Sequence, residues 1–116
     1  MTTDDDLKPG DVVVVPFPFT DPSTAKRRPA LVLSSAEFNG AGPDVIICAM
    51  TSRLQQAPSS LVVTQDGMQT GRLPSPSRVK VGKLALLKKD LVLAKVGQVR
   101  PEVFRQVMRE FETLFP

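Results

Sequence analysis

A chain of 116 residues, 41% of them hydrophobic, has room for one folded core and not two, and is too apolar to be disordered as a whole. Fifteen Lys and Arg against 12 Asp and Glu leave a net charge of +3, and histidine is absent. Without histidine the chain lacks the usual general base near neutral pH and the commonest metal ligand, so zinc sites and Ser-His or Cys-His nucleophilic machinery are excluded.

The first seven residues, "MTTDDDL", read as a flexible tail whose Asp4, Asp5 and Asp6 are solvated charge rather than a metal cluster. This start has neither the basic nor the apolar part of a signal peptide, and no apolar run approaches the roughly 18 to 20 residues of a spanning helix. A cytoplasmic protein with no membrane association is expected. "GDVVVVPFPF" is a β-branched strand that its prolines should end, and "TDPSTAKRR", with the Asp21-Pro22 turn signal, should be an exposed loop. "PALVLSS" and "DVIICAMTS" are continuous apolar runs of strand length, as strands buried on both sides or curled into a barrel require. Cys48, inside the second run, reads as a buried and inert thiol.

The Gly/Pro/Asn link "FNGAGP" should separate those two strands. A polar loop is expected over 55–60, then a short strand at "SLVVTQ", then an irregular stretch at "DGMQTGRLPSPS". In "RVKVGKLALL" charged and apolar residues alternate, which places Arg78 and Lys80 on one face of a half-exposed strand. "LVLAKVG" is the next strand, after the turn-like "KKD". Residues 101–115 are helical: Val103, Val107, Phe111 and Leu114 form one stripe, Pro101 suits the first turn, and Glu102 is favourable at the positive helix end. No repeat or linker divides residues 1–116. The expected fold is mainly β, five or six short strands in a small barrel with a C-terminal helix packed on it.

The net charge understates the asymmetry. Before Lys26 there are five Asp and one Lys, whereas Arg72 to Arg100 holds eight Lys or Arg and a single acid, Asp90. Such a field fits a phosphate-rich partner, and it also fits a solvated lysine-rich face. Arg28 precedes Pro29, which pushes its backbone toward extended geometry and gives its guanidinium a defined origin at the start of a strand. An arginine so held can grip a phosphate through two parallel hydrogen bonds, though such residues are also common in solvated loops. The strand "AMTS" ends in adjacent hydroxyls, Thr51 and Ser52, whose side chains alternation sends to opposite faces if the strand continues through both. One of them can aim into a site at the barrel mouth, while both can equally serve as local backbone partners.

The order of "KPGDVVVVPFPFTDPSTAKRRPALVLSS", "DVIICAMTS" and "TGRLPSPSRVKVGKLALLKKDLVLAKVGQV" resembles the MazF/PemK toxins of bacterial type II toxin–antitoxin systems, from about Lys8 to the terminal helix. The most specific marks are Gly10-Asp11, Arg28-Pro29 and the apolar strand closing on Thr51-Ser52. The resemblance implies a homodimer of SH3-like barrels that cuts single-stranded RNA with no metal or other cofactor. It further implies attack of a ribose 2′-hydroxyl on the neighbouring phosphate, and inhibition by a cognate antitoxin through an acidic disordered segment. By similarity Arg28 and Thr51 are catalytic, with Ser52 beside them. Lys26, Arg27, Arg78, Lys80 and Lys83 become candidate contacts for the RNA backbone, and Phe17 and Phe19 for its bases.

Two positions depart from the pattern. Ser23 stands where some members carry a glutamate, and the basic segment around Gly82 replaces one in which some have an acid; Asp21 reads as a turn former or a helper acid. A related toxin class with a similar barrel poisons DNA gyrase and depends on a C-terminal tryptophan, which this chain lacks. A binding module that has lost catalysis is the other alternative, and the presence of both Arg28 and Thr51 argues against it.

Overall fold

Runs of β-branched and aliphatic residues bounded by glycine and proline favour extended backbone over most of this chain. The computed structural model describes residues 7–17 and 26–116. Among these, seven strands form: β1 (Asp11–Phe17), β2 (Lys26–Val32), β3 (Asp44–Thr51), β4 (Ser60–Val63), β5 (Met68–Gly71), β6 (Ser77–Lys88) and β7 (Ala94–Val99). They make one antiparallel sheet in the order β4-β6-β3-β2-β1-β7-β5, joined by helices α1 (Ala36–Ala41) and α2 (Pro101–Glu112).

The sheet curls because its ladders slip. Cys48 of β3 lies opposite Leu84, but the next residue, Ala49, lies opposite Lys80. Val81, Gly82 and Lys83 are therefore unmatched, and the extra length bends β6 and strengthens its twist. β4 then pairs only with the first part of β6, from Ser77 to Lys80. Alternation along the curled strands fills two apolar layers. On one face Val12, Leu31, Cys48, Met50, Val79 and Val81 are buried with Val107 of α2, and Phe104 and Phe111 pack against them. On the other, Leu7, Val13, Val15, Ala30, Val32, Val45, Ile47 and Leu87 form a second cluster. Burial on both faces is what the unbroken apolar runs of β2 and β3 encode.

Several boundaries differ from the sequence expectation. Pro16 stays within β1 because β7 reaches only Val14, so β1 has a neighbour on one side there and a missing donor is tolerated. β2 begins at Lys26, which places Arg28 inside the strand rather than at its start. The "FNGAGP" link contains part of α1: Ser35 caps this helix, its Oγ accepting from Phe38 N at 3.1 Å, and the cap outweighs the poor propensity of Asn39 and Gly40. Asn39 is wholly buried, hydrogen-bonded with Ser34, and its Nδ2 donates to Leu7 O at 2.8 Å. Leu7, counted with the tail in the sequence reading, is accordingly 1% exposed and part of the core.

β5 forms within the stretch expected to be irregular, because Gly71 and Gly97 let β5 and β7 approach closely. α2 stops at Glu112, short of the expected 115, where Thr113 N turns to Glu110 O (3.2 Å) and Leu114 N to Phe111 O (3.0 Å) in a tightened last turn. Among the described residues no helix is long and apolar enough to cross a membrane.

Apart from Arg78 Nε, the buried side-chain polar groups among the described residues are paired. Asp11 accepts from Lys8 N at 2.8 Å and from Gln98 Nε2 at 3.1 Å, and meets Lys95 Nζ at 3.1 Å. Cys48 lies in the first apolar layer, and burial pushes its thiol up to about 12. Almost no thiolate then exists at neutral pH, and thiolate is the reactive species. Iodoacetamide should leave the native protein unmodified and alkylate it once denatured, as mass spectrometry would read. Stoichiometric labelling under native conditions would contradict this burial.

Candidate active site

The site begins with a missing donor. Leu33 N donates to Ile46 O at 2.9 Å, and an antiparallel ladder repeats such bonds every second residue, so the donors of β2 toward β3 fall at Leu33, Leu31 and position 29. Position 29 is proline and has no N–H. Pairing between the strands accordingly ends at Ala30 and Ala49, although β2 starts at Lys26 and β3 continues to Thr51. The two strand ends part there. Carried two residues further, the same register sets Arg28 opposite Thr51.

The neighbouring ladders extend this line. Val15 of β1 pairs with Arg28, Thr51 pairs with Arg78 of β6, and Arg78 pairs with Val62 of β4. Val15, Arg28, Thr51, Arg78 and Val62 thus make one row across five adjacent strands. One row further in lie Ala30, Ala49, Lys80 and Ser60 on the same face. The sheet face that buries the second apolar cluster therefore ends in two arginines, a lysine and two hydroxyls.

Two cavities flank the row. One, of about 170 Å³, is lined by Thr51, Arg53, Gln55, Gln56, Arg78 and Lys80. The other, of about 210 Å³, is lined by Arg27, Arg28, Met50, Ser52, Ser75 and Ser77. Thr51, the last residue of β3, lines the first cavity, whereas Ser52, just past the strand, lines the second with Arg28. Arg53, Gln55, Gln56, Ser75 and Ser77 were not singled out in the sequence, where they lie in loops or at a strand start with only polar composition to mark them.

The electrostatics favour an anion. Among the described residues the one ion pair is Lys95–Asp11, and neither cavity is lined by Asp, Glu or His. Arg28 is exposed and Arg78 and Lys80 are half-buried, so the cations face the cleft without carboxylate partners among the described residues. Thr51 Oγ1 accepts from Arg53 N at 3.2 Å, which leaves its hydroxyl hydrogen free to donate. A donor set of guanidinium, ammonium, hydroxyl and amide groups suits phosphate rather than a metal ion. Arg78 differs from the rest: Nη1 donates to Ser60 Oγ at 2.8 Å and Nη2 to Leu54 O at 3.0 Å.

The remaining candidates are more dispersed. Lys26 is exposed at the start of β2, opposite Phe17 at the end of β1. Lys83 is exposed in the unmatched part of β6, away from both cavity walls. Phe19, Asp21 and Ser23 lie outside the described residues.

Comparison with known proteins adds the following. Residues 8–115 match the family described as PemK-like, MazF-like toxin of type II toxin-antitoxin system. A comparison with curated protein sequences finds no match. Among solved structures, MazF from Deinococcus radiodurans superposes with a TM-score of 0.71 at 24% identity, covering 93% of this chain and 94% of that one. A MazE-MazF structure from the same organism gives 0.73 at 24% identity over 94% and 95%. An endoribonuclease in complex with its cognate antitoxin, from Mycobacterial species, gives 0.72 at 18% identity over 92% of both chains. At these identities the structural likeness speaks for the fold.

Proposed function

The chain belongs to the PemK-like, MazF-like toxins of type II toxin-antitoxin systems, and we propose that it is an endoribonuclease that cleaves single-stranded RNA without a metal. The observation that supports this reading is the parting of β2 and β3 at Pro29, past which their register, carried two residues on, sets Arg28 opposite Thr51. A phosphodiester bridging the two cavities would meet the Arg28 guanidinium from one and the Thr51 hydroxyl from the other. The adjacent ribose 2′-oxygen attacks phosphorus, the bond from phosphorus to the 5′-oxygen breaks, and the products carry a 2′,3′-cyclic phosphate and a 5′-hydroxyl. Charge builds on the non-bridging oxygens as this happens, so donors fixed in advance stabilise the transition state more than the substrate. Arg28 supplies two parallel N–H groups, Thr51 one O–H, and Ser52 a further hydroxyl on the Arg28 side.

The partners follow from the surface. Leu84 and Leu86 are 41% and 65% exposed, and their register places them on the face of Cys48 and Ile46. Exposed Leu114 and Phe115 follow α2, and Leu114 lies 3.9 Å from where a β-carbon on Gly82 would stand. Such apolar area suits a second copy of the chain, and a homodimer would join two basic clefts into a longer track for RNA. The same cations would receive an acidic antitoxin segment, a reading supported by the relative described with its cognate antitoxin. All of these partners meet in the cytoplasm.

End-group analysis tests the chemistry. RNA incubated with the purified protein should be cut equally well in EDTA, with cyclic phosphate ends, and 2′-deoxy substitution at the cut nucleotide should block cleavage. A strict magnesium requirement, or products ending in a 3′-hydroxyl, would refute the mechanism.

A further inference from the structure

We infer that Arg78 is a positioning residue that clasps the loop between β3 and β4, residues 52–59, into the wall of a nucleotide subsite beside Thr51; the inference rests on the RNA-cleaving reading of the site. The sequence suggests that Arg78 grips RNA backbone directly. Its hydrogen bonds are committed elsewhere. One terminal nitrogen donates to Leu54 O, near the start of the loop, and the other to Ser60 Oγ, just past its end. Ser60 Oγ in turn donates to Ala57 O, so the planar fork draws three points of the loop together. The Nε of Arg78 is buried without a partner, as befits a side chain wrapped by the loop rather than extended into solvent. Ser59 adopts φ 50°, a conformation that a non-glycine residue keeps only when its surroundings impose it, and its carbonyl accepts from Val81 N at 3.0 Å.

The clasp has a chemical consequence. It presents Arg53, Gln55 and Gln56 to the 170 Å³ cavity that Thr51 and Lys80 also line. Arg53 and Lys80 are free to hold a phosphate, while the two amides offer both donors and acceptors, the combination needed to read the edge of a base. With Thr51 at its rim, the cavity takes the nucleotide next to the cut phosphate. Arg78 then sets which sequence is cut, and Lys80 sets how tightly any RNA is held.

The test compares Arg78→Lys and Ser60→Ala with the unmodified protein. The substrates are an RNA spanning the cut and two versions shortened by one nucleotide on either side. Both substitutions should raise KM for the spanning RNA about tenfold more than for the version lacking the nucleotide in this cavity, with kcat falling less than KM rises. Arg78→Lys keeps the charge but not the fork, so full rescue by lysine would overturn the inference, as would an equal rise in KM for all three substrates. Hydrogen exchange of amides 53–59 reads the clasp without RNA. Faster exchange is expected in both variants, and unchanged protection would also overturn it. Failure of the unmodified protein to cleave any RNA would instead strike the reading on which the subsite rests.

Discussion

Arg28→Ala is expected to reduce RNA cleavage by about 100- to 1000-fold while leaving the fold intact, the usual consequence of removing one preorganised donor from a developing oxyanion. The fold should survive because Arg28 is exposed and lies on neither apolar layer. What holds β2 is its ladder to β1, from Val12–Leu31 to Phe17–Lys26, and that ladder is made by backbone atoms. Arg28→Lys should recover little, since an ammonium cannot supply two parallel N–H groups to one phosphate. Thr51→Ala should lose cleavage by a comparable factor, its one side-chain hydrogen bond among the described residues being the 3.2 Å bond from Arg53 N. Steady-state kinetics beside thermal melts separate loss of chemistry from loss of structure. Near-normal cleavage by a folded Arg28→Ala protein would remove the central assignment.

Sequence pattern and fold agree unevenly along the chain. β1, β2, β3 and β6 are legible in the sequence because their apolar runs and alternation survive whatever the neighbours do. α1 is not, since its helix depends on the Ser35 cap and on Asn39 reaching Leu7, a contact 32 residues away that no local pattern announces. β5 is hidden for the same kind of reason: glycine looks like a loop signal until its partner glycine is known. At the site, the residue types were readable but their register was not. Pro29 is visible in the sequence, yet its effect depends on which neighbour its missing donor faces, and only the ladder to β3 supplies that. Alternation separates Thr51 from Ser52 only in a strand that runs through both, and β3 ends at Thr51. The commitment of Arg78 to a loop rather than to solvent could not be read from a strand that alternates charge with apolar residues.

Gly97→Ala is expected to be, with Gly71→Ala, one of the two most damaging glycine-to-alanine changes in the described part of the fold, destabilising it by about 2 to 4 kcal/mol out of a typical total of 5 to 15. A β-carbon at Gly97 would stand 2.4 Å from Thr70 O and 2.8 Å from Met68 Cε. The methionine can swing aside, but the carbonyl belongs to β5 and can retreat only if the strand moves with it. At its partner, Gly71, the backbone has φ +77° and a β-carbon would meet Val96 O at 2.1 Å, so neither strand has slack to give. Gly40→Ala is the matched control: nothing lies within 4 Å of its β-carbon position and it sits in α1, so stability should hold or rise slightly. Thermal or urea unfolding of the pair reads the difference, with a melting temperature lower by about 10 °C or more for Gly97→Ala. A melt within about 2 °C of the unmodified protein would show that β5 and β7 are not packed this closely, since about 1 kcal/mol already moves the midpoint of a small domain by several degrees. The consequence reaches the site as well. β5 leads into the segment that brings Ser75 to the cavity lined by Arg28 and Ser52, so a loosened β5 should weaken cleavage in step with stability, whereas Arg28→Ala should separate the two.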